Sequence, residues 1–263
     1  MRTSLVVRCV MFVLAFASSS AVALADTPPS AAEVISAADK IRNPLQPFRV
    51  SLALVEYQSG QVHDTVNLAV HAKLDPSTRQ YRNLVRYSAP ARDAGKLVLL
   101  SGSNMWFYDP AAKASIRISA QQRLIGQASN GDVLTVNLAH DYTPRIAGEE
   151  SVQDADHQAH DTWHLDLASA TGDAAYARLE TWIEKATFRP IKTKFYSDSG
   201  RLLKVAYYRR YKVLLGAARP TETIIVDAVD SHLVTKVTAS DYREEQVQDA
   251  WFQREYLPRF SEE

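Results

Sequence analysis

The chain has 263 residues, with 30 lysines and arginines against 30 aspartates and glutamates, so its formal net charge is zero. A neutral chain with interspersed charges lacks the basic surface on which nucleic-acid binding depends, and we exclude that class. A chain of this length buries enough apolar surface for one large β domain or two smaller ones.

The first 25 residues have the features of a secretory signal peptide. Two arginines lie within the first eight residues, residues 10–17 are apolar, and Ala23-Leu24-Ala25 has the small-x-small pattern of a cleavage site. The apolar run is shorter than the ~20 residues that a membrane-spanning helix needs. We therefore expect residues 1–25 to be removed and the mature chain, residues 26–263, to form a single domain.

The only cysteine, Cys9, lies inside this segment. A lipoprotein anchor requires a cysteine directly after the apolar run, whereas Cys9 precedes that run. The mature chain is therefore expected to carry no lipid anchor. It is also expected to have no disulfide and no cysteine nucleophile, so that its stability depends on its core.

An amphipathic helix is predicted over residues 31–42. Ser30 and Glu33 have the spacing of a capping box, and Asn43-Pro44 ends the pattern. The apolar positions at helical spacing are Val34, Ile35, Ala38 and Ile41.

After Pro47 the hydrophobic period changes from 3.6 to 2, which is typical of β-strands. Turn signals separate the alternating segments at regular intervals, and no internal repeat or linker interrupts them. About ten or eleven strands in this order predict an antiparallel meander that curls on itself. The predicted strand segments are 50–54, 66–74, 80–88, 96–108 with a turn at 101–104, 113–119, 162–168, 176–185, 191–197, 202–211, 221–229 and 233–242.

Residues 120–142 break the alternation. Ser129-Asn130-Gly131-Asp132 resembles a helix start, and Leu134 and Leu138 follow on one face. We interpret this stretch as one or two short helices with mobile connections.

The predicted sheet has two unlike faces. Ile191 and Phe195 alternate with Lys192 and Lys194, so one face is apolar and the other is solvated. A large curled sheet must cover its apolar face, and this chain predicts few helices for that purpose. Either side chains fill the interior or a ligand does.

Two motifs are candidates for a catalytic site. Ser129 lies in the pattern G-x-x-S-x-G between Gly126 and Gly131, but a nucleophile elbow needs G-x-S-x-G between a strand and a helix. We therefore interpret Ser129 as a helix cap beside a turn, and we predict no catalytic residue.

His157, His160 and His164 lie among aspartates, and histidine and carboxylate are the usual zinc ligands. His164, however, belongs to an alternating strand, and a calcium loop starting at Asp154 would have Ala159 where glycine is needed. We interpret the cluster as a solvated hairpin tip, with a metal site as the open alternative. No metal and no cofactor is predicted.

Three stretches together resemble a known family. They are residues 95–132 with "SGSNMWFYDP", residues 177–227 with "ARLETWIEKATFRPIKTKFY", and the tail "DAWFQREYL" at residues 249–257. In this order and spacing they are similar to the outer-membrane-lipoprotein-sorting, LolA-like family of periplasmic lipid carriers, which includes LolA, LolB and LppX.

The resemblance implies a mainly β (α+β) fold, an unclosed antiparallel β-barrel of about eleven strands with a few helices forming a lid over an apolar cavity. It implies a carrier in the periplasm that binds lipids or acylated lipoproteins and moves them toward the outer membrane. The implied partners are an inner-membrane RND-type transporter or an outer-membrane acceptor, and the chain is expected to be a monomer.

Alternation opposite charged neighbours, read with this resemblance, predicts which side chains contact the ligand. The predicted ligand-binding set is Leu52, Val85, Tyr87, Val98, Trp106, Tyr108, Leu179, Ile191, Phe195, Val205 and Ile224, with Leu134 and Leu138 on the lid. A one-residue shift would turn any of these strands over.

In the family, an arginine on a barrel strand holds the lid closed by bonding lid carbonyls. Arg82, Arg86 and Arg117 are the candidates here, and the sequence does not decide among them. Two other functions stay open at this point. One is a lipid-sensing binding module of an envelope complex, and the other is a metal-dependent enzyme at the histidine cluster.

Overall fold

The computed structural model describes residues 28–171 and 174–261. The predicted signal peptide, residues 1–25, lies outside the described residues. No helix in the described part of the chain has the length and apolar character needed to cross a bilayer.

Helix α1, Ala31–Arg42, forms where the capping box predicts it. The Ser30 hydroxyl accepts the backbone N–H of Glu33 at 3.3 Å, and the Glu33 carboxylate accepts the backbone N–H of Ser30 at 2.8 Å. Asn43 ends the helix. The apolar stripe of α1 is buried against the sheet, so α1 is a covering element and not a free surface helix.

The described residues form thirteen strands of one antiparallel sheet and a separate two-stranded hairpin. The strands are β1 Phe48–Gln58, β2 Gln61–Leu74, β3 Tyr81–Ala89, β4 Leu97–Ser101, β5 Asn104–Asp109, β6 Ala114–Ile118, β7 Arg123–Ile125, β8 Ala128–Ser129, β9 Tyr142–Gln153, β10 Ala159–Ser169, β11 Arg178–Glu184, β12 Pro190–Tyr196, β13 Leu202–Leu214, β14 Ala217–Asp227 and β15 Leu233–Glu244. The spatial order is β6-β5-β4-β3-β2-β1-β15-β14-β13-β12-β11-β10-β9, and β7 pairs with β8.

Strands β6 and β9 are the two ends of this order, so the sheet curls without closing, as predicted. The predicted strand count of about eleven is corrected to thirteen in the main sheet. Strand β9 was missed because Pro144, Gly148 and two adjacent glutamates disfavour a strand in the sequence. An edge position tolerates them, because one side of an edge strand needs no partner.

The register of the first hairpin determines which face is apolar. Leu52 lies opposite Leu68, and Leu54 lies opposite Val66, with all four side chains buried on the concave face. The alternating neighbours point outward from the same strands. The concave side chains of β1 to β5 and β13 to β15 form one continuous core.

The convex face also carries apolar residues at one end. Two short 3-10 helices, Asp249–Phe252 and Arg254–Arg259, pack on the outside of β3, β4 and β5. Phe252 and Leu257 contact Leu84, Leu97 and Leu99 there. The tail thus covers an outer apolar patch, which leaves the concave face to other elements.

Residues 120–141, which we call the lid, cover the concave face together with α1. The lid consists of the β7–β8 hairpin, a 3-10 turn at Asn130–Asp132, an extended segment and the single-turn helix α2, Leu138–Asp141. The 3-10 turn and α2 confirm the prediction of one or two short helices, whereas the β7–β8 hairpin was not predicted. The lid is therefore mostly non-helical.

Gly126 allows the β7–β8 hairpin to pack closely against the sheet. Its φ is +52°, and a Cβ at this position would lie 2.4 Å from Oγ1 of Thr235 and 2.9 Å from Cγ of Glu56. The same Thr235 hydroxyl accepts the backbone N–H of Gln127 at 2.7 Å. A side chain at residue 126 would separate the hairpin from the strands β1 and β15.

We expect Gly126→Ala to destabilise the fold more than Gly60→Ala, which also has a positive φ but has open space around a Cβ. Both substitutions lose about 1–2 kcal/mol to the left-handed backbone, and Gly126→Ala loses a further ~1–3 kcal/mol to overpacking. Urea unfolding of the two variants measures the difference. Equal losses would show that the hairpin does not rest on Thr235.

Candidate functional site

A cavity of about 460 Å³ lies between the concave face of the sheet and the lid. This volume is within the range of small-molecule sites, which is about 300–1,000 Å³. Apolar side chains line it on both sides, alongside polar and charged ones. The apolar side chains are Leu100, Met105, Ile118, Leu179, Phe195, Ala206, Ile225 and Val237 from the sheet, and Leu134, Val136 and Leu138 from the lid.

An ion pair between Lys204 of β13 and Asp132 fastens the lid to the barrel. Lys204 is 3% exposed, and its ammonium also donates to the backbone oxygen of Gln127 at 3.0 Å and to the hydroxyl of Ser129 at 3.2 Å. Burial lowers the pKa of Lys204, and the neighbouring Asp132 opposes that shift. One barrel lysine thus binds three groups of the lid.

The carboxylate of Asp132 is fully engaged. Besides Lys204, it accepts the hydroxyl of Tyr176 at 2.8 Å and the backbone N–H of Ser129 at 2.7 Å. The Lys204 ammonium lies 5.1 Å from the ring centre of Tyr176 and 5.4 Å from that of Phe195. A buried charge pair with these partners satisfies the desolvated groups that would otherwise destabilise it.

Two asparagines hold the extended part of the lid. The amide of Asn83 on β3 donates to the backbone oxygen of Thr135 and accepts its N–H, both at 2.9 Å. The amide of Asn43, just after α1, donates to the backbone oxygen of Val136 at 2.8 Å. Side-chain amides here replace the strand partner that this backbone lacks.

The C-terminal part of the lid is held in the same way. The side-chain oxygen of Gln80 accepts the backbone N–H of Asn137, and a carboxylate oxygen of Asp39 accepts that of Ala139, both at 2.8 Å. Burial raises the pKa of Asp39 to about 6, and the nearby Arg42 opposes this shift. Through its hydrogen bond with Ala139, Asp39 connects α1 to the lid.

Arg219 of β14 holds α1 itself. Its guanidinium donates to the backbone oxygens of Ile41 at 2.8 Å and Lys40 at 3.3 Å, at the end of the helix. It also donates to the backbone oxygens of Leu214 at 2.9 Å and Leu215 at 3.1 Å. The carbonyls of Lys40 and Ile41 belong to the last turn of α1, which has no further helical N–H groups to bond them.

Comparisons with known proteins agree with this geometry. A LolA superfamily protein from Nitrosomonas europaea is 32% identical, with a TM-score of 0.77 over 87% of this chain and 99% of that chain. This chain belongs to the LolA superfamily.

Two further solved structures share the fold. A DUF1329 family protein from Desulfovibrio piger has a TM-score of 0.72 at 21% identity, over 86% of this chain and 97% of that one. A domain described as outer membrane lipoprotein-sorting from Vibrio parahaemolyticus has a TM-score of 0.70 at 18% identity, over 87% and 98%. A family model described as that of an uncharacterized protein matches residues 79–259. The comparison with curated proteins gives no match.

Of the predicted ligand-binding residues, four line the cavity of this LolA-superfamily chain: Leu134, Leu138, Leu179 and Phe195. Four others lie on the concave face in the core around the cavity without lining it. These are Leu52, Val85, Tyr87 and Val98.

The remaining five face the other way. Trp106 and Tyr108 pack beneath the C-terminal tail, and Ile191 packs with Val152 and Trp182. Val205 and Ile224 alternate with cavity-lining neighbours on the same strands. For Trp106 and Tyr108 the tail makes the convex face apolar too, and beside Ile191 a β-bulge shifts the register. Val205 faces outward because its charged neighbour Lys204 points inward to Asp132, and Ile224 because the adjacent Ile225 points into the cavity.

The lid contacts also differ from the predicted arginines. Arg82 pairs with Asp75 at 2.6 Å, and Arg82 and Arg86 lie with Leu84 at alternating positions on the convex side. Arg117 lines the cavity, and Arg219, which was not among the candidates, donates to backbone carbonyls of α1. Lys204 was missed as well, although a lone lysine in the apolar run "LLKVA" is a signal for it.

The histidine cluster does not converge on one point. His160 contacts Glu184 at 2.8 Å and Asp154 at 3.0 Å, while His164 stacks on Trp182 at 4.3 Å between ring centres. Burial acts to lower the pKa of His160, but the two carboxylates outweigh it and raise that pKa. Within the described residues, no group of three or more histidine, cysteine, aspartate or glutamate side chains could hold a metal ion.

We expect Lys204→Met to destabilise the protein by about 3–5 kcal/mol, because it leaves the Asp132 carboxylate buried without its counter-charge. The double variant Lys204→Met with Asp132→Asn should recover part of this loss, since it removes the unpaired charge. Urea unfolding measures both.

A matched control is Lys185→Met, which breaks the exposed pair of Lys185 with Glu149. It should cost less than ~1 kcal/mol. A loss for Lys204→Met no larger than that of the control would contradict the role assigned to the buried pair.

Proposed function

We propose that this protein is a periplasmic carrier that binds the acyl chains of lipids or lipoproteins and moves them toward the outer membrane. The observation that carries the proposal is an apolar cavity of about 460 Å³ under a lid attached by polar contacts. The proposal assigns it binding and release, without a catalytic step.

The physical need for such a carrier follows from hydrocarbon solubility. Each buried methylene is worth about 0.8 kcal/mol, so an acyl chain leaves a membrane for water very rarely. An apolar cavity removes the aqueous step. The residues on which uptake then depends are those that line it, including the predicted Leu134, Leu138, Leu179 and Phe195.

Release of the cargo requires that the apolar groups of the lid also have partners when no cargo is bound. The apolar side of the lid, including Leu134 and Val136, packs on the concave core. A ligand that enters must displace some of these contacts, which offsets part of its binding free energy. The carrier thus binds hydrocarbon more weakly than a bilayer does, and it can deliver the cargo to an acceptor.

Location and partners extend this proposal. The expected signal peptide supports export, and the Vibrio domain with the same fold is described as lipoprotein-sorting. We therefore propose that a monomer receives cargo from an inner-membrane donor, of which an RND-type transporter is one candidate, and gives it to an outer-membrane acceptor.

Ile225 and Ile224 provide a matched test of the cavity. Ile225 lines it and Ile224 does not. Tryptophan at residue 225 fills part of the volume, so we expect Ile225→Trp to weaken binding of a fluorescent acyl probe about tenfold, the loss of roughly two methylene contacts.

Ile224→Trp should bind the probe as the wild type does. Thermal unfolding of both variants checks that the fold is retained, because overpacking alone costs about 1–3 kcal/mol. Equal probe affinity in the two folded variants would show that the probe does not bind in the cavity.

A further inference from the structure

The volume of the cavity limits how much hydrocarbon it holds with the lid in place. The cavity measures about 460 Å³. With roughly 30 Å³ for a group of the size of a water molecule or a methylene, it takes about fifteen such groups. That is one long acyl chain. A second chain of the same length does not fit beside it in this volume.

The lining also contains a cation with unused donors. Arg42 is the last residue of α1, lines the cavity, and has a side chain that is only 20% exposed. One of its N–H groups donates to Asp39 at 3.2 Å. Among the residues that the structure describes, this is the one hydrogen bond of the Arg42 guanidinium, which has five N–H groups.

From these two observations we propose that the closed cavity binds a single-chain amphiphile whose anionic head group lies at Arg42. This rests on the proposed function, in which the cavity takes acyl chains, and it names the class of ligand. The shared chemistry is one hydrocarbon chain that ends in a carboxylate or a phosphate.

An anionic head fits Arg42 better than a neutral one. Carboxylate and phosphate oxygens match the fork of a guanidinium and form charge-assisted hydrogen bonds with it. A neutral head would leave most of the guanidinium N–H groups without a strong acceptor while the ligand displaces water from them. The apolar walls strengthen the charge interaction, because they lower the local dielectric constant.

The other charged groups of the lining are already paired or lie on other elements. Asp132 is bound by Lys204. Asp141 accepts the side-chain amide of Gln80 at 2.8 Å and contacts His140 at 3.1 Å. Arg117 lies on β6, at the opposite end of the sheet order from β9, against which α1 packs.

Tyr208 supplies a further polar group to the lining. Burial raises the pKa of Tyr208, and the charge of Arg42 partly opposes the rise. The hydroxyl therefore stays protonated at neutral pH and can donate a hydrogen bond. Asp39 competes for Arg42, since it already holds one N–H of the guanidinium.

Competition against a fluorescent acyl probe tests this inference. Palmitate and palmitoyl lysophosphatidate are the anionic ligands, and hexadecanol and methyl palmitate are the neutral ones of the same chain length. Dipalmitoyl phosphatidate adds a second chain. On the wild-type protein, at least one anionic single-chain ligand should compete about tenfold better than the neutral ones, which corresponds to one strong charge-assisted contact.

Variants locate the head group. Arg42→Met should abolish the preference for the anionic ligand, and Asp39→Asn should increase it, because the amide no longer competes as an anion. Arg145→Met, at an exposed arginine that pairs with Asp166 on the outer face, is the control and should keep the wild-type preference. Native mass spectrometry should show one single-chain ligand per protein molecule.

Each result decides something. A preference for palmitate identifies a carboxylate head, and one for lysophosphatidate identifies a phosphate head. Equal competition by anionic and neutral ligands on the wild type overturns the inference while the carrier function stands, and so does tight one-to-one binding of dipalmitoyl phosphatidate. If neither the probe nor any amphiphile binds, both proposals fail. The wild-type comparison holds even if Arg42→Met does not fold.

Discussion

A curled sheet that does not close must cover its apolar concave face, and the rest of this structure follows from that constraint. The sheet ends at β6 and β9, and its concave side chains form a continuous core that α1 and the lid complete. Side chains do not fill the space between them, where about 460 Å³ remain. A cover that leaves volume beneath it must be held at its polar groups, since apolar packing alone would collapse onto the sheet.

The lid is held in that way. Four side chains on the barrel or α1 each form a hydrogen bond with a backbone or side-chain group of the lid. They are Lys204, Asn83, Gln80 and Asp39. Such buried polar contacts contribute little net stability, but they are directional and costly to leave unpaired. They fix where the lid lies without making it a permanent part of the core.

Local signals predicted much of the fold. The capping box gave helix α1, and alternation with turn signals gave the strands outside residues 120–153. The features that the sequence did not predict depend on tertiary structure. The outward direction of Trp106, Tyr108 and Ile224 follows from register and from a tail about 140 residues away from β5, and neither is visible in a single strand. Lys204 and Asp132, 72 residues apart, meet only in the folded chain.

The proposed function requires that the cavity hold hydrocarbon in the cell. Native mass spectrometry of the protein, purified without detergent from the cells that produce it, tests this most directly when the bound material is extracted and identified. We expect a bound acyl-chain compound at one per protein molecule, released by organic solvent. A protein that arrives with no bound lipid, and that also takes up none when mixed with membrane vesicles, would contradict it.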